Sequence, residues 1–293
     1  MRIATVKTNQ GEEAAIRTAS GFIPVSAINT QHNKNWATDL WSILQLEQLP
    51  KINTWYRAGG KELLETAIEG VISNENAHFG PLYRHPSKIW GIGLNYVEHA
   101  GDLSEKAPTL APASFAKFDT TLIGPGDEIC IPLQSERTTA EAELGIIFGK
   151  KCKNIEEANW LDVVAGFTTL LDMTAEDLLA PNPRYLTRSK NFDTFFSFGP
   201  ELVTPDEIDD VLKLNVATVL NGAIHAQNTV SNMTFPPPFL VSFHTKVATM
   251  LPGDIICTGT PRAAKISDGD IAECRIDGFM PLINPVIDLK INK

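Results

Sequence analysis

Eight residues of this chain, Glu141-Ala142-Glu143-Leu144-Gly145-Ile146-Ile147-Phe148, alternate in a way that could do chemistry. In an extended strand, successive side chains point to opposite faces. Ala142, Leu144, Ile146 and Phe148 then share one face, and Glu141 and Glu143 project together from the other. Two carboxylates so placed stand roughly 6.5–7 Å apart. At an effective dielectric of about 20 they repel by about 2 kcal/mol, and by more where water is excluded. A divalent cation removes that repulsion, and an all-carboxylate set suits a hard ion such as Mg²⁺, Mn²⁺ or Ca²⁺. The commoner fate of an isolated E-x-E is an edge strand with two solvated acids. Asp172 adds weight to the metal. It ends the apolar run VVAGFTTLL, where a carboxylate packs badly but ligates well, and three carboxylates plus water make an octahedral set. Its simpler use is to cap the helical-looking MTAEDLL.

Further groups could act beside such a centre. His99 and Asp102 are three residues apart, so a helical turn puts them on one face, where the carboxylate orients the imidazole and raises its basicity. The pair is a candidate general base for activating water, against the plainer reading of an exposed histidine beside an aspartate. Lys190, in RSKNFDTF, is placed to stabilise an oxyanion or enolate, or else snorkels at the surface. Thr258-Gly259-Thr260-Pro261 leaves a strand through a glycine turn that offers N–H groups and two hydroxyls to a carboxylate. Gly91 and Gly93 begin like a dinucleotide fingerprint, but Tyr96 takes the third glycine's place and excludes it. Serine-hydrolase, P-loop and zincin motifs are absent. Cys130, Cys152, Cys257 and Cys274 form no C-x-x-C, which excludes zinc ribbons and thioredoxins and leaves reduced, buried thiols.

The elements that must position these groups read as α+β, dominated by sheet. Strands are expected at Arg2–Lys7, Ala14–Arg17 and Phe22–Val25. A helix capped by Thr38 or Asp39 should stop at Pro50, and another should run from Lys61 to Glu69 with Leu63, Leu64, Ala67 and Ile68 inward. The turn-rich NENAHFGPLYRHPSK marks a boundary near residues 80–87. Beyond it come mostly strands, including a hairpin through Asn221-Gly222 with a type I′ turn. Thr204-Pro205-Asp206-Glu207 reads as a capped helix start, and Pro236 to Ala248 as a helix burying Leu240, Phe243 and Val247. At 293 residues with a formal charge of −10, the chain is an unsuitable non-specific nucleic-acid binder. It contains no run of about 18 apolar residues and no apolar signal core at its start, so a cytoplasmic location and no membrane partner are expected.

In order along the chain, GLNYVEHAGD, P-x-x-F-x-K (Pro112, Phe115, Lys117), GPGDEICIP, the E-x-E, AGFTTLLDMTAED, SKNFDTF-x-x-FGP, LNG, PGDIICTGTP and DGD resemble the fumarylacetoacetate hydrolase superfamily. The resemblance implies a mixed β-roll catalytic domain over 84–293 behind a small α+β domain over 1–83, and a homodimer. It implies Mg²⁺ or Mn²⁺ on Glu141, Glu143 and Asp172, with Ca²⁺ as a further candidate. It makes His99 the base, oriented by Asp102 where the family usually has Glu, with Lys190 and Thr260 as catalytic partners. Tyr96, Arg188 and Thr260 are then substrate contacts. Many members read D-x-T-A-R-D-x-Q after the metal aspartate, whereas this chain has Glu176 and Leu179 there. Arg184, Arg188 or Arg262 are candidates to replace the lost positive charge. The activity implied first is hydrolytic C–C cleavage of an acylpyruvate- or fumarylacetoacetate-like 2-oxo acid or 1,3-diketone. Decarboxylation, enol–keto isomerisation and sugar-acid dehydration within the same scaffold come second, and a metal-binding homologue without turnover third.

Overall fold

The acids lie on the eleven-residue strand Thr138–Phe148, every residue of which is buried. The computed structural model describes residues 1–66, 70–96 and 108–291. In chain order its strands are β1 Arg2–Thr8, β2 Gly11–Thr18, β3 Gly21–Pro24, β4 Ile72–Ser73, β5 Ile89–Gly93, β6 Ala113–Lys117, β7 Leu122–Ile123, β8 Ile129–Ile131 and β9 Thr138–Phe148. There follow β10 Val164–Ala175, β11 Phe196–Phe198, β12 Glu201–Val203, β13 Asn215–Leu220, β14 Ala223–Thr229, β15 Ile255–Cys257, β16 Ala264–Lys265, β17 Ile271–Ile276 and β18 Leu282–Asp288. Helices are short: α1 Val25–Gln31, α2 Leu40–Gln45, α3 Leu49–Trp55, α4 Lys61–Glu65, α5 Glu176–Leu179, α6 Leu186–Lys190 and α7 Pro237–Val247. The class is α+β with sheet dominant. No described helix is long and apolar enough to cross a membrane.

Among the described residues, thirteen strands join one sheet whose main path runs β4-β3-β2-β1-β12-β10-β9-β15-β5-β6. Because β1 pairs with β12, with Arg2 opposite Val203, the sheet passes without a break from the N-terminal strands into the main body. A second sheet, β14-β13-β17-β18-β8, packs against β9 and β10. Alternation sorts the two faces. Ala140, Ala142, Leu144, Ile146 and Phe148 join a core cluster with Val216, Cys274 and Leu282 of the second sheet. Ile147 and Leu170 instead pack with Ile255, Cys257 and the N-terminal strands and helices. Glu141 and Glu143 share this second face by parity.

Several local readings of the sequence yield to tertiary contacts. Asp39 does cap α2, accepting from the Ser42 N–H at 2.8 Å. Pro50, expected as a stop, sits instead in the first turn of α3, where its missing N–H is no loss. Thr204 caps no helix. Its hydroxyl and the Glu207 carboxylate each accept from the Met1 amino group at 2.7 Å, and only a single 3-10 turn forms. In α7 the buried stripe is Leu240, Val241 and His244, while Phe243 is half-buried and Val247 exposed. Leu63 is exposed too, and Ala67 and Ile68 lie outside the described residues. The hairpin of β13 and β14 turns as expected, with φ of 51° at Asn221 and 80° at Gly222. All four thiols are free, and burial pushes those of Cys257 and Cys274 up, the latter to about 12.

Two small features aim the elements at the acids. A Cβ on Gly91 would lie 2.2 Å from the Phe115 ring, so glycine leaves the room that ring occupies opposite it. Asn95, fully buried just beyond β5, donates to the carbonyls of Thr258 (2.7 Å) and Phe235 (2.9 Å) and accepts from the Phe235 N–H (2.8 Å). It thereby fixes the turn after β15. Replacing Asn95 by Ala strands three buried backbone groups at a cost of roughly 1–3 kcal/mol each. Thermal melting of Asn95→Ala is expected to fall by several degrees, and an unchanged midpoint would contradict this role.

Candidate metal centre

β9 and β10 are antiparallel, and their register puts Glu141 directly opposite Asp172 and Glu143 opposite Leu170. Asp172 therefore lies inside a strand rather than capping a helix, since β10 runs three residues further before α5 begins. Oxygens of Glu141, Glu143 and Asp172 all lie within 4.8 Å of one another, and all three residues are buried. At that spacing each ionised pair repels by at least about 3 kcal/mol at an effective dielectric of 20.

Two lysines face the cluster. Lys190, at the C-terminal end of α6, donates to Asp172 Oδ2 at 2.7 Å and Glu141 Oε2 at 3.0 Å. Its Nζ also stands 4.9 Å from the centre of the Phe115 ring. Lys117, the last residue of β6, donates to Asp172 Oδ1 at 2.6 Å and to the Lys190 carbonyl. The Thr174 hydroxyl donates to Glu141 Oε1. In the turn after β15 the Gly259 N–H donates to Glu143 Oε2 at 2.7 Å. Gly259 has φ +96°, and a Cβ there would meet Asn95 Cβ at 2.7 Å, so both conformation and space require glycine.

Two ammoniums against three carboxylates leave one negative charge uncompensated. Burial first, then the charges of Asp172 and Glu141, push the Glu143 carboxyl well above its usual range. Burial works against the charge of Lys190, but Asp172 and Glu141 outweigh it and hold that ammonium protonated. Lys117 meets burial with one carboxylate and the like charge of Lys190, and its pKa is lowered. The donor set is hard, anionic and short of positive charge, which fits a divalent cation of the Mg²⁺ or Mn²⁺ type.

The expected site residues are thus partly assembled. Glu141, Glu143, Asp172 and Lys190 come together from separate segments. Thr260 is buried next to Gly259, its hydroxyl 3.4 Å from that of Thr218. The amide of that turn holds Glu143 rather than standing open to a substrate. Tyr96 is fully buried and belongs to the core cluster with Met233 and Phe235. Arg188 is exposed on α6. His99 and Asp102 lie outside the described residues. Lys117 was visible in sequence only as a motif letter, because nothing local says that a lysine ending ASFAK is buried.

A family model described as the fumarylacetoacetate (FAA) hydrolase C-terminal region matches residues 88–287, spanning β6, β9, β10, α6 and the Gly259 turn. The chain belongs to the fumarylacetoacetate hydrolase superfamily. Superfamily relatives include a protein of unassigned activity from Archaeoglobus fulgidus, 39% identical over 70% of this chain and 80% of the relative. The mitochondrial oxaloacetate tautomerase fahd2 of Xenopus laevis is 34% identical over 78% of this chain and 76% of its own. In fold, the chain matches the maleylpyruvate hydrolase of Sphingobium sp. SYK-6, crystallised with manganese(II) and pyruvate, at a TM-score of 0.79 and 24% identity, covering 98% of this chain and 99% of the other. Solved proteins that share the fold include a maleylpyruvate hydrolase and a 5-carboxymethyl-2-hydroxymuconate delta-isomerase.

The raised Glu143 carboxyl carries a pH signature. A metal-free protein holds this proton where the unfolded chain, near the usual 4.5, has lost it, so stability drains as pH rises above that value. Metal binding needs the ionised form, so its stabilising effect grows over the same window. In melting curves from about pH 5 to about pH 8, the gap between Mn²⁺-treated and chelator-treated protein is expected to widen. Glu143→Gln should close it. A gap that persists in that variant would remove Glu143 from the ligand set.

Proposed function

We propose that this chain is a divalent-metal-dependent enzyme of small 2-oxo acids that works through an enolate, and that enol–keto interconversion of a 2-oxo diacid is its reaction. The observation that carries this reading is the meeting of Glu141, Glu143 and Asp172 within 4.8 Å beside Lys190. Relatives above 30% identity that are named as oxaloacetate tautomerases support the choice of reaction.

Glu141, Glu143 and Asp172 would hold the cation, which when bound supplies Lewis-acid polarisation of a carbonyl. Lys190 keeps its proton, and the one N–H not donated to Asp172 and Glu141 is free to meet an oxygen on which enolate charge develops. Lys117 and Thr174 each pin one oxygen, of Asp172 and of Glu141, so the carboxylates need little reorganisation as charge shifts. His99, oriented by Asp102, carries the proton between carbon and the enol oxygen. Burial of the acids and both lysines keeps bulk water from competing for these contacts.

Hydrolytic cleavage, the activity the motif order implied first, needs in addition an activated water. Enol–keto exchange needs only proton movement within the bound acid, so it asks less of the residues in hand.

With Mn²⁺, the ultraviolet enol band of oxaloacetate is expected to decay faster with the protein than with the metal alone. Lys190→Met should lower kcat by about a hundredfold. His99→Ala should lower kcat far more than metal affinity. Absence of any acceleration, with acetylpyruvate consumed instead, would transfer the assignment to C–C hydrolysis.

A further inference from the structure

Outward from the acids, the same face of β9 and β10 continues as a polar ladder. Glu141 stands opposite Asp172 and Thr139 opposite Thr174. The Thr174 hydroxyl reaches the Glu141 carboxylate, so these rungs share a face by contact as well as by parity. The next rung is Arg137 and Glu176. The Glu176 N–H donates to the Arg137 carbonyl at 2.9 Å, and Arg137 Nε donates to Glu176 Oε2 at 2.6 Å. The Glu176 side chain is 14% exposed and that of Arg137 56%, so this rung stands at the rim where the ladder meets solvent. Lys265 pairs opposite Thr139 across β16 and adds a second cation on this face.

We infer that Arg137 is a specificity-determining residue, a guanidinium fork that grips the second carboxylate of a dicarboxylic 2-oxo acid whose oxo-acid end lies at the carboxylate centre. Among the described residues, Nε is the guanidinium nitrogen with a hydrogen-bond partner, which leaves the two terminal nitrogens for a bidentate contact. Glu176 alone would repel an anionic tail at this point. Held against Arg137, it serves as the anchor that orients the fork. Four positions of extended chain separate Arg137 from Glu141, roughly 13 Å along the backbone, and the guanidinium is held across at Glu176 rather than beside the acids. The tail that fits is therefore several carbons long, closer to a six-carbon than to a four-carbon diacid.

The inference rests on the 2-oxo acid reading above, and calorimetry on Mn²⁺-loaded protein separates the two. The probes are 2-oxoadipate and 2-oxohexanoate, the same six-carbon chain with and without the second carboxylate. Wild type is expected to bind 2-oxoadipate about tenfold more tightly or better, as a charge-assisted bidentate contact would give. Arg137→Met should collapse that ratio to about one, and Arg137→Lys should restore part of it. A wild-type ratio of one, or a ratio that survives in Arg137→Met, overturns the role of Arg137 while leaving the 2-oxo acid site standing. Equal weakening of both ligands in the variants also overturns it, by reducing the rim pair to a structural clamp. Failure of wild type to bind either acid sinks the 2-oxo acid reading, and the inference with it.

Discussion

The centre of the main sheet is built around a buried charge imbalance. Three carboxylates project from one face of two buried strands, and two ammoniums reach them from outside that pair. The antiparallel register of β9 and β10, unbroken from Thr138 opposite Ala175 to Gly145 opposite Thr168, is what makes the acids converge. A slip of one residue would turn every side chain to the opposite face, burying the acids among Ala142, Leu144 and Ile146's partners in the second sheet. Packing on one face thus dictates chemistry on the other.

Convergence also depends on places where side chains have been withdrawn. Gly91 makes room for Phe115, whose ring lies under the Lys190 ammonium. Gly259 brings its amide up to Glu143 because Asn95 leaves no space for a larger residue. Lys117 ties Asp172 to the carbonyl of Lys190, so the strand acid and the helix end are held as one unit. Each support has its own partners, and the acids are therefore aimed before any ligand arrives.

The rim is where this member of the superfamily differs in charge from the pattern its motifs resemble. Glu176 occupies a position where a cation is common, yet Arg137 from the loop before β9 lies against it. The local potential there is therefore not that of an isolated acid.

The alternation in residues 141–148, the turn at Asn221-Gly222 and the Asp39 cap were legible because each depends on residues within a few positions of one another. The motif order was enough to show the superfamily and the sheet-rich fold. Local rules misplaced Pro50, Thr204 and Val247, since a proline can begin a helix as well as end one, and Met1 outcompeted the cap. Only the tertiary structure decided that Asp172 is a strand residue facing Glu141, that Lys117 is buried 55 positions away from the acid it neutralises, and that Glu176 has a guanidinium beside it. Those are pairings across strands and loops. A buried charge is defined by what surrounds it, and for these residues the surroundings come from other parts of the chain.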